Sequence, residues 1–311
     1  MEPLLEAIHC PLCDHDKTQI LVESPDLLLA HPDEHVFRLV TCQHCGHIYQ
    51  NPRPTIESIG RYYPPDYAPF QKAIDDEPSP WVRFNRRRWQ HKICSAVHTY
   101  AGKPGRILDI GCATGLFLDG MKSLGWETVG VEPSDVAAQY ARTRMGLNVF
   151  HGTLESAAFP DSSFDVVTLW DVFEHLHDPI ATLAEIRRIL RPDGRLVISI
   201  PNPDSFEAHF FKQHWLGWDL PRHLNLFRPL HLETRLRSLG IAVEHKRSFI
   251  YGYALFAMSL RQKLRGNPLA KMADLLLLAP TTRALAMLYY DGPANWYNLS
   301  STIVLFSRKQ S

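Results

Sequence analysis

The sequence lacks any run long enough to cross a bilayer as a helix. Its longest uncharged apolar stretches, Ser248 to Leu260 and Leu275 to Thr282, fall short of the roughly 18–20 residues that a hydrocarbon core requires. It also lacks an excess of charge. Lysine plus arginine and aspartate plus glutamate number 33 each, so the overall balance gives no reason to expect a polyanionic partner such as nucleic acid. The opening MEPLLEAIHCPLC has no basic region followed by an apolar stretch and a small-residue cleavage site, which argues against a secretion signal and for a cytoplasmic location. Repeats and low-complexity tracts are missing as well. Cysteine is scarce, with six in 311 residues, yet four of the six form two close pairs near the N-terminus. In a chain without a secretion signal that arrangement points to a metal and not to disulfides. Cys94 and Cys112 stand alone.

What the chain does contain falls into three parts. Prolines 52, 54, 64, 65 and 69 follow the second cysteine pair and mark the end of a small N-terminal module. Residues 78 to 108 carry arginines and lysines but no acid, with Arg86, Arg87 and Arg88 consecutive, and read as a basic linker helix ending near Tyr100. From Arg106, short apolar strands alternate with helical segments, as in a parallel sheet covered on both faces. The strands are RILDIG, TVGVE, LNVF, FDVVTLW and GRLVISIP. Helices follow the first, second and fourth, the last of them capped by Asp178 before Pro179. IAVEHKRSF and NLSSTIVLFSRK supply two late strands with an apolar helical insertion between them. We therefore expect a module over residues 1–52, a linker and basic helix over 53–100, and an α/β domain over 101–311 whose substrate-side insertions occupy 203–298.

The most informative stretch is LDIGCATG, residues 108–115, which puts Asp109 at a strand end and Gly111 and Gly115 in the turn before a helix. Glycines there let a ligand approach the backbone. The G-x-G-x-x-G fingerprint of dinucleotide binding is not matched, because Ala113 stands between the two glycines. Glu132 ends the second strand, where an acid accepts hydrogen bonds from the ribose hydroxyls of an adenosine cofactor.

LDIGCATG, VGVE, FPDSSFDVVTLWDVFEHLHDP and LRPDGRLVISIPN resemble, in order and spacing, successive motifs of class I S-adenosylmethionine-dependent methyltransferases, over residues 104 to 203. The resemblance implies a doubly wound, seven-stranded, mostly parallel sheet with a reversed last strand. It also implies S-adenosylmethionine at the C-terminal strand edge and transfer of its sulfonium methyl to a nucleophile. Carried over by position, Asp109, Gly111, Cys112 and Gly115 line the methionine end, Glu132 binds the ribose, and Thr153 with Leu154 flank the adenine. Trp170 and Asp171 stand beside the methyl donor. Many relatives have an acid where Thr153 or Leu154 stands here.

Cys10-Pro-Leu-Cys13 and Cys42-Gln-His-Cys45 are two C-x-x-C knuckles able to close a tetrahedron around zinc. Closed four-cysteine sites are structural, so zinc is expected to hold the module and not to activate substrate. With the NPRPTIESIGRYYPPDY segment that follows, the module resembles the zinc ribbon joined to the catalytic domain in bacterial sugar- and glycan-pathway methyltransferases. By the same resemblance His223, in LPRHLNLF, is the general base, and Tyr63 and Tyr67 complete the substrate pocket. Glu174, His175 and His177 read as polar contacts at a helix start, since no third metal ligand is evident near them in sequence.

The acceptor expected is a small molecule, such as a deoxysugar, a nucleotide-linked sugar or a natural-product intermediate. An RNA methyltransferase and a non-catalytic scaffold are the competing readings. Neutral charge and WDVF in place of a base-clamping N-P-P-Y after the fourth strand argue against the first, and the intact glycines and Glu132 against the second. Residues 254–290 are expected to pack in the core, cover substrate or touch a membrane surface, in that order. Nothing in the sequence sets an oligomeric state.

Overall fold

The computed structural model describes residues 4–27, 35–63, 74–250 and 252–310. The chain opens on β1 (Leu5–Glu6), β2 (Thr18–Ser24), β3 (Phe37–Cys42), β4 (Ile48–Gln50) and β5 (Arg53–Pro54). α1 (Pro80–Ala101) follows, started by the Ser79 hydroxyl on Val82 N and closed by Gly102 in the left-handed conformation. Its basic side chains meet acids from elsewhere in the chain: Arg88 and Lys92 both bind Asp291.

The α/β region runs β6 (Arg106–Ile110), α2 (Leu116–Ser123), β7 (Glu127–Glu132), α3 (Asp135–Thr143), β8 (Asn148–His151), β9 (Phe164–Trp170), α4 (Pro179–Ile189) and β10 (Leu190–Pro201). Next come α5 (Phe206–Phe211), β11 (Asn225–Leu226), α6 (Pro229–Ser238) and β12 (Ile241–Arg247). The chain ends with α7 (Gly252–Lys263), α8 (Ala270–Leu278), α9 (Pro280–Asp291), α10 (Pro293–Trp296) and β13 (Thr302–Lys309). Helix α3 ends at Thr143, and α4 gives way to β10 at Leu190, before Pro192.

Seven strands form one sheet in the order β12-β13-β10-β9-β6-β7-β8. β13 runs antiparallel to both neighbours, and the pairs from β10 to β8 are parallel. This is the doubly wound sheet with a reversed last strand that the motif order implied. Apolar side chains of one strand serve two cores: Leu108 and Val167 join the core on one face, Ile107 and Val166 the core on the other. That is why RILDI and FDVVTLW read as near-continuous apolar runs. The chain leaves β6 toward β7 and β8, then returns to place β9 on the other side of β6. The carboxyl ends of β6 and β9 therefore border the switch point, where ligands bind in open α/β sheets.

A four-stranded sheet of order β11-β4-β3-β2 lies at the N-terminal end of the chain. Its fourth strand, β11, comes from the segment after β10, pairing Asn225 with Tyr49 and Leu226 with Ile48. Val22, Phe37, Leu39 and Ile48 share one buried cluster with Trp215, Trp218, Leu220 and Leu226. Between β12 and β13 the helical insertion departs from the first-ranked expectation of core packing. Leu277 is the buried residue of α8, α9 has none, and Leu275, Leu285 and Leu288 are exposed. Its helices are short, and in α9 the half-buried positions 282, 283, 286, 287 and 290 recur at helical spacing, so one face rests on its neighbours while Leu285 and Leu288 stay in solvent. Among the described residues no helix is long and apolar enough to cross a membrane.

Candidate functional site

The turn after β6 is held from both sides. Gly111 N and Cys112 N donate to Val131 O on β7 at 2.8 and 3.1 Å, and Ala113 N donates to the Glu132 carboxylate at 2.8 Å. The turn needs positive φ at Gly111 (70°) and Gly115 (86°), a region costly to side-chain-bearing residues. A Cβ on Gly111 would also lie 2.5 Å from Val172, and one on Gly115 2.2 Å from Leu147. The other Glu132 oxygen accepts from Ser134 N at 2.8 Å. Two backbone donors thus fix the carboxylate at the mouth of the turn while burial raises its pKa.

Asp109 is buried beneath this turn, with the Thr168 hydroxyl donating to it at 2.6 Å. Burial pushes its carboxyl up to about 8, the Thr168 bond opposing and the Glu132 charge adding to the rise. A carboxylate so placed, with no cation facing it among the described side chains, fits the ammonium group of an amino-acid ligand. Cys112 belongs to the buried core, packed with Leu118 and Val149. Trp170, at the end of β9, packs against Phe117 with ring centroids 5.3 Å apart. Asp171 follows at φ 54°, accepts from the Ser199 hydroxyl at 2.6 Å, and is pushed up to about 6 by burial. Thr153 engages Ser156 in a local turn and Leu154 is buried in the core, so neither supplies an acid to an adenine amino group.

Just beyond Asp171, a short 3-10 turn, Phe173–His175, brings Glu174 and His175 against His223. One ligand-type atom from each of these three lies within 4.8 Å of the others. The ring of His223 is set by Nδ1, 2.9 Å from Gly217 O, and a carbonyl oxygen can only accept. The proton therefore sits on Nδ1, and Nε2 keeps its lone pair, 3.8 Å from both Glu174 Oε1 and Asp219 Oδ2. Burial lowers the His223 pKa, with the Asp219 charge opposing. Its ring is neutral at pH 7. His175 Nδ1 meets Arg222 O at 2.9 Å and the Tyr63 hydroxyl at 2.8 Å. Tyr63 thus reaches the cluster through His175, while Tyr67 lies outside the described residues. His177 bonds Pro54 O and is not in the cluster.

The sequence missed how this cluster is assembled. Glu174 and His175 sit on the turn after β9, and the third group comes from the segment that pairs with the N-terminal sheet. Arg222, fully buried, is clamped by Asp219 and by Asp26, whose carboxylate it binds through two nitrogens at 2.7 and 2.9 Å. Burial would raise Asp219, but His223 in the protonated form it takes in acid and the permanent charge of Arg222 outweigh it, and its pKa lies below the ordinary carboxylate value. The one available sequence signal was an Arg-His pair beside a short apolar strand.

The four N-terminal cysteines form a second cluster from two matching knuckles. Asp14 N donates to Cys10 O and Gly46 N to Cys42 O, while Cys10 N and Cys42 N donate to His15 O and His47 O. Asp14 and Gly46 both take positive φ, turning the chain away after each knuckle. The sulfurs of Cys10 and Cys45 are 3.5 Å apart and those of Cys13 and Cys42 3.6 Å. A tetrahedral ion with bonds of about 2.3 Å separates its ligands by about 3.8 Å, so the set fits such an ion. Backbone N–H groups of Leu12 and Cys13 reach the Cys10 sulfur, and those of His44 and Cys45 the Cys42 sulfur, as thiolates require.

Residues 81–246 match the family model described as a methyltransferase domain. A ubiquinone biosynthesis O-methyltransferase of Roseobacter denitrificans is 32% identical over 177 residues, covering 53% of this chain and 69% of that protein. A probable S-adenosylmethionine-dependent methyltransferase of Mycolicibacterium smegmatis is 28% identical over 189 residues, covering 60% and 68%. Among solved structures, the [4+2]-cyclase SpnF superposes with a TM-score of 0.52 at 18% identity, over 83% of this chain and 97% of that one, a likeness of fold alone. With more than half of its length matched by the domain model and its motifs gathered at the switch point, the chain belongs to the methyltransferase-domain family and is an S-adenosylmethionine-dependent methyltransferase.

Proposed function

We propose that the protein moves the sulfonium methyl of S-adenosylmethionine to a small-molecule acceptor, a sugar or natural-product intermediate, with His223 taking the acceptor's proton. The observation that carries this reading is the neutral His223 ring. Its Nδ1–H is spent on Gly217 O and its free Nε2 lies 3.8 Å from Glu174, on the turn that follows Asp171. An imidazole held neutral at pH 7 is suited to general-base work. The names of the curated relatives, ubiquinone biosynthesis O-methyltransferases, favour an acceptor oxygen. Asp109 is assigned to the cofactor's ammonium and Glu132 to its ribose hydroxyls, with Gly111, Cys112 and Gly115 along the methionine and Thr153 and Leu154 beside the adenine. Trp170 and Asp171 border the methyl group, and Tyr63 and Tyr67 the acceptor.

Cys10, Cys13, Cys42 and Cys45 are assigned a structural zinc, which would tie residues 1–52 together ahead of the linker (53–100) and the catalytic domain (101–311). Placement in the cytoplasm belongs to the same reading. The RNA alternative is disfavoured because α1, its basic element, places Arg88 and Lys92 on Asp291. Purified protein is incubated with methyl-labelled cofactor and fractionated cell extract, with and without nuclease. Label in a low-mass, nuclease-resistant fraction is expected. Label that disappears with nuclease overturns the small-molecule reading.

A further inference from the structure

Three features of the Glu174, His175 and His223 cluster go unused by a base acting alone. Among the described residues, both oxygens of Glu174 are buried without a hydrogen-bond partner, although the residue is almost wholly enclosed. A buried carboxylate left so calls for an explanation, and an ion is one of the few that physical chemistry offers. Two imidazoles converge on it with ring centroids 4.7 Å apart at 74°, an edge-to-face arrangement that lets both rings address one point. Each ring also has a backbone carbonyl for one N–H, Gly217 O for His223 and Arg222 O for His175, leaving one lone pair per ring. That is the outer support that fixes the tautomer of metal-binding histidines.

We infer that Glu174, His175 and His223 bind a divalent first-row transition-metal ion that holds an oxygen of the methyl acceptor. The donor set of two imidazoles and one carboxylate suits such ions and leaves coordination positions open for water or substrate. Asp219, 3.8 Å from His223 Nε2, supplies a further negative charge at the same point. The site lies on the turn directly after Asp171, so an oxygen on the ion stands beside the place assigned to the methyl donor. A hydroxyl held there would be acidified. With its lone pair given to the ion, His223 would no longer take the acceptor's proton itself, and that proton would pass to the Asp219 carboxylate, 3.8 Å from His223 Nε2, and on to water. The inference rests on the proposed function in placing this cluster beside the acceptor, and selects acceptors that present a hydroxyl to a metal.

The two clusters differ in softness, which allows a clean experiment. Full-length protein with its zinc content measured is titrated with Mn²⁺, a hard ion that thiolates do not favour, and free Mn²⁺ is followed by electron paramagnetic resonance. One Mn²⁺ per chain is expected to bind. Glu174→Gln and His223→Asn should each weaken it by more than the roughly 10–100-fold that loss of a supporting partner causes. Retained S-adenosylmethionine binding shows that each variant is folded. Wild-type protein that takes up no Mn²⁺, or folded variants that bind it as well as wild type, overturns the ion site. That result leaves the base reading standing if His223→Asn still slows turnover. Wild-type turnover in His223→Asn removes the base reading whatever the titration gives.

Discussion

The described residues contain two clusters of ligand-type side chains built on opposite plans. The four cysteines come from two short knuckles of the same local geometry, each Cys-x-x-Cys closed by a residue of positive φ, and the chain needs only a hairpin to bring them together. Glu174, His175 and His223 come from a turn after the fourth strand of the large sheet and from the approach to β11, which is anchored in the other sheet. The first cluster is closed, with four like donors. The second mixes donors, leaves both Glu174 oxygens without a hydrogen-bond partner among the described residues, and is bordered by an Arg222 held from the N-terminal region. A closed cluster stabilises, whereas a cluster assembled across two sheets makes its geometry depend on how those sheets are joined. The N-terminal region then helps to build the wall around His223. It supplies Asp26 to Arg222, the neighbour of His223, and β4 to β11.

The sharpest way to break this comparison is Cys42→Ser. Structural zinc contributes on the order of 10 kcal/mol to folding of small modules, so the variant should lose zinc by elemental analysis and become protease-sensitive within residues 1 to about 50. Because Trp215, Trp218 and Leu226 share a core with that sheet, turnover should fall too. Unchanged protease resistance would show the two regions to be independent.

Arg222→Met tests the joint itself. It leaves Asp26 and Asp219 buried without their cation, and loss of one partner of a buried pair destabilises by about 3–5 kcal/mol. The denaturation midpoint reads this directly, and a shift under about 1 kcal/mol would mean that the clamp is not formed in solution. His223→Asn should slow turnover at saturating substrate by about a hundredfold while leaving cofactor affinity intact.

Smaller effects belong to the cofactor side. Glu132→Ala should weaken S-adenosylmethionine binding about tenfold or more, checked by calorimetry. Asp109 gives a pH signature. Its folded carboxyl lies near pH 8, raised by burial, so the ligand-free protein gains stability from it below the unfolded carboxylate range, about pH 4, and loses it as pH rises through about 8. A cationic ligand needs the ionised form. Cofactor affinity should therefore fall by up to about tenfold per pH unit below pH 8, with protons released on binding, and Asp109→Asn should flatten the slope. A wild-type profile that is already flat would remove Asp109 from contact with the ammonium.

The sequence by itself determined the features that short-range geometry controls. LDIGCATG required glycines at 111 and 115 because only they accept positive φ at those crowded points. Glu132 fell beside that turn because β6 and β7 pair in parallel, so their carboxyl ends arrive together. The cysteine knuckles were legible for the same reason, their spacing fixing the local turn. The His223 cluster was not, because its members meet only after β11 pairs with β4 and the aromatic core under Trp215 closes. Asp26 and Arg222 are 196 positions apart, and nothing in either neighbourhood names the other. The insertion was misjudged because the exposure of its leucines depends on which neighbours the fold supplies. Backbone preference acts over a few residues and leaves its mark in the spacing. Burial and charge pairing act across whatever the packed sheets bring together, and only the tertiary structure decides that.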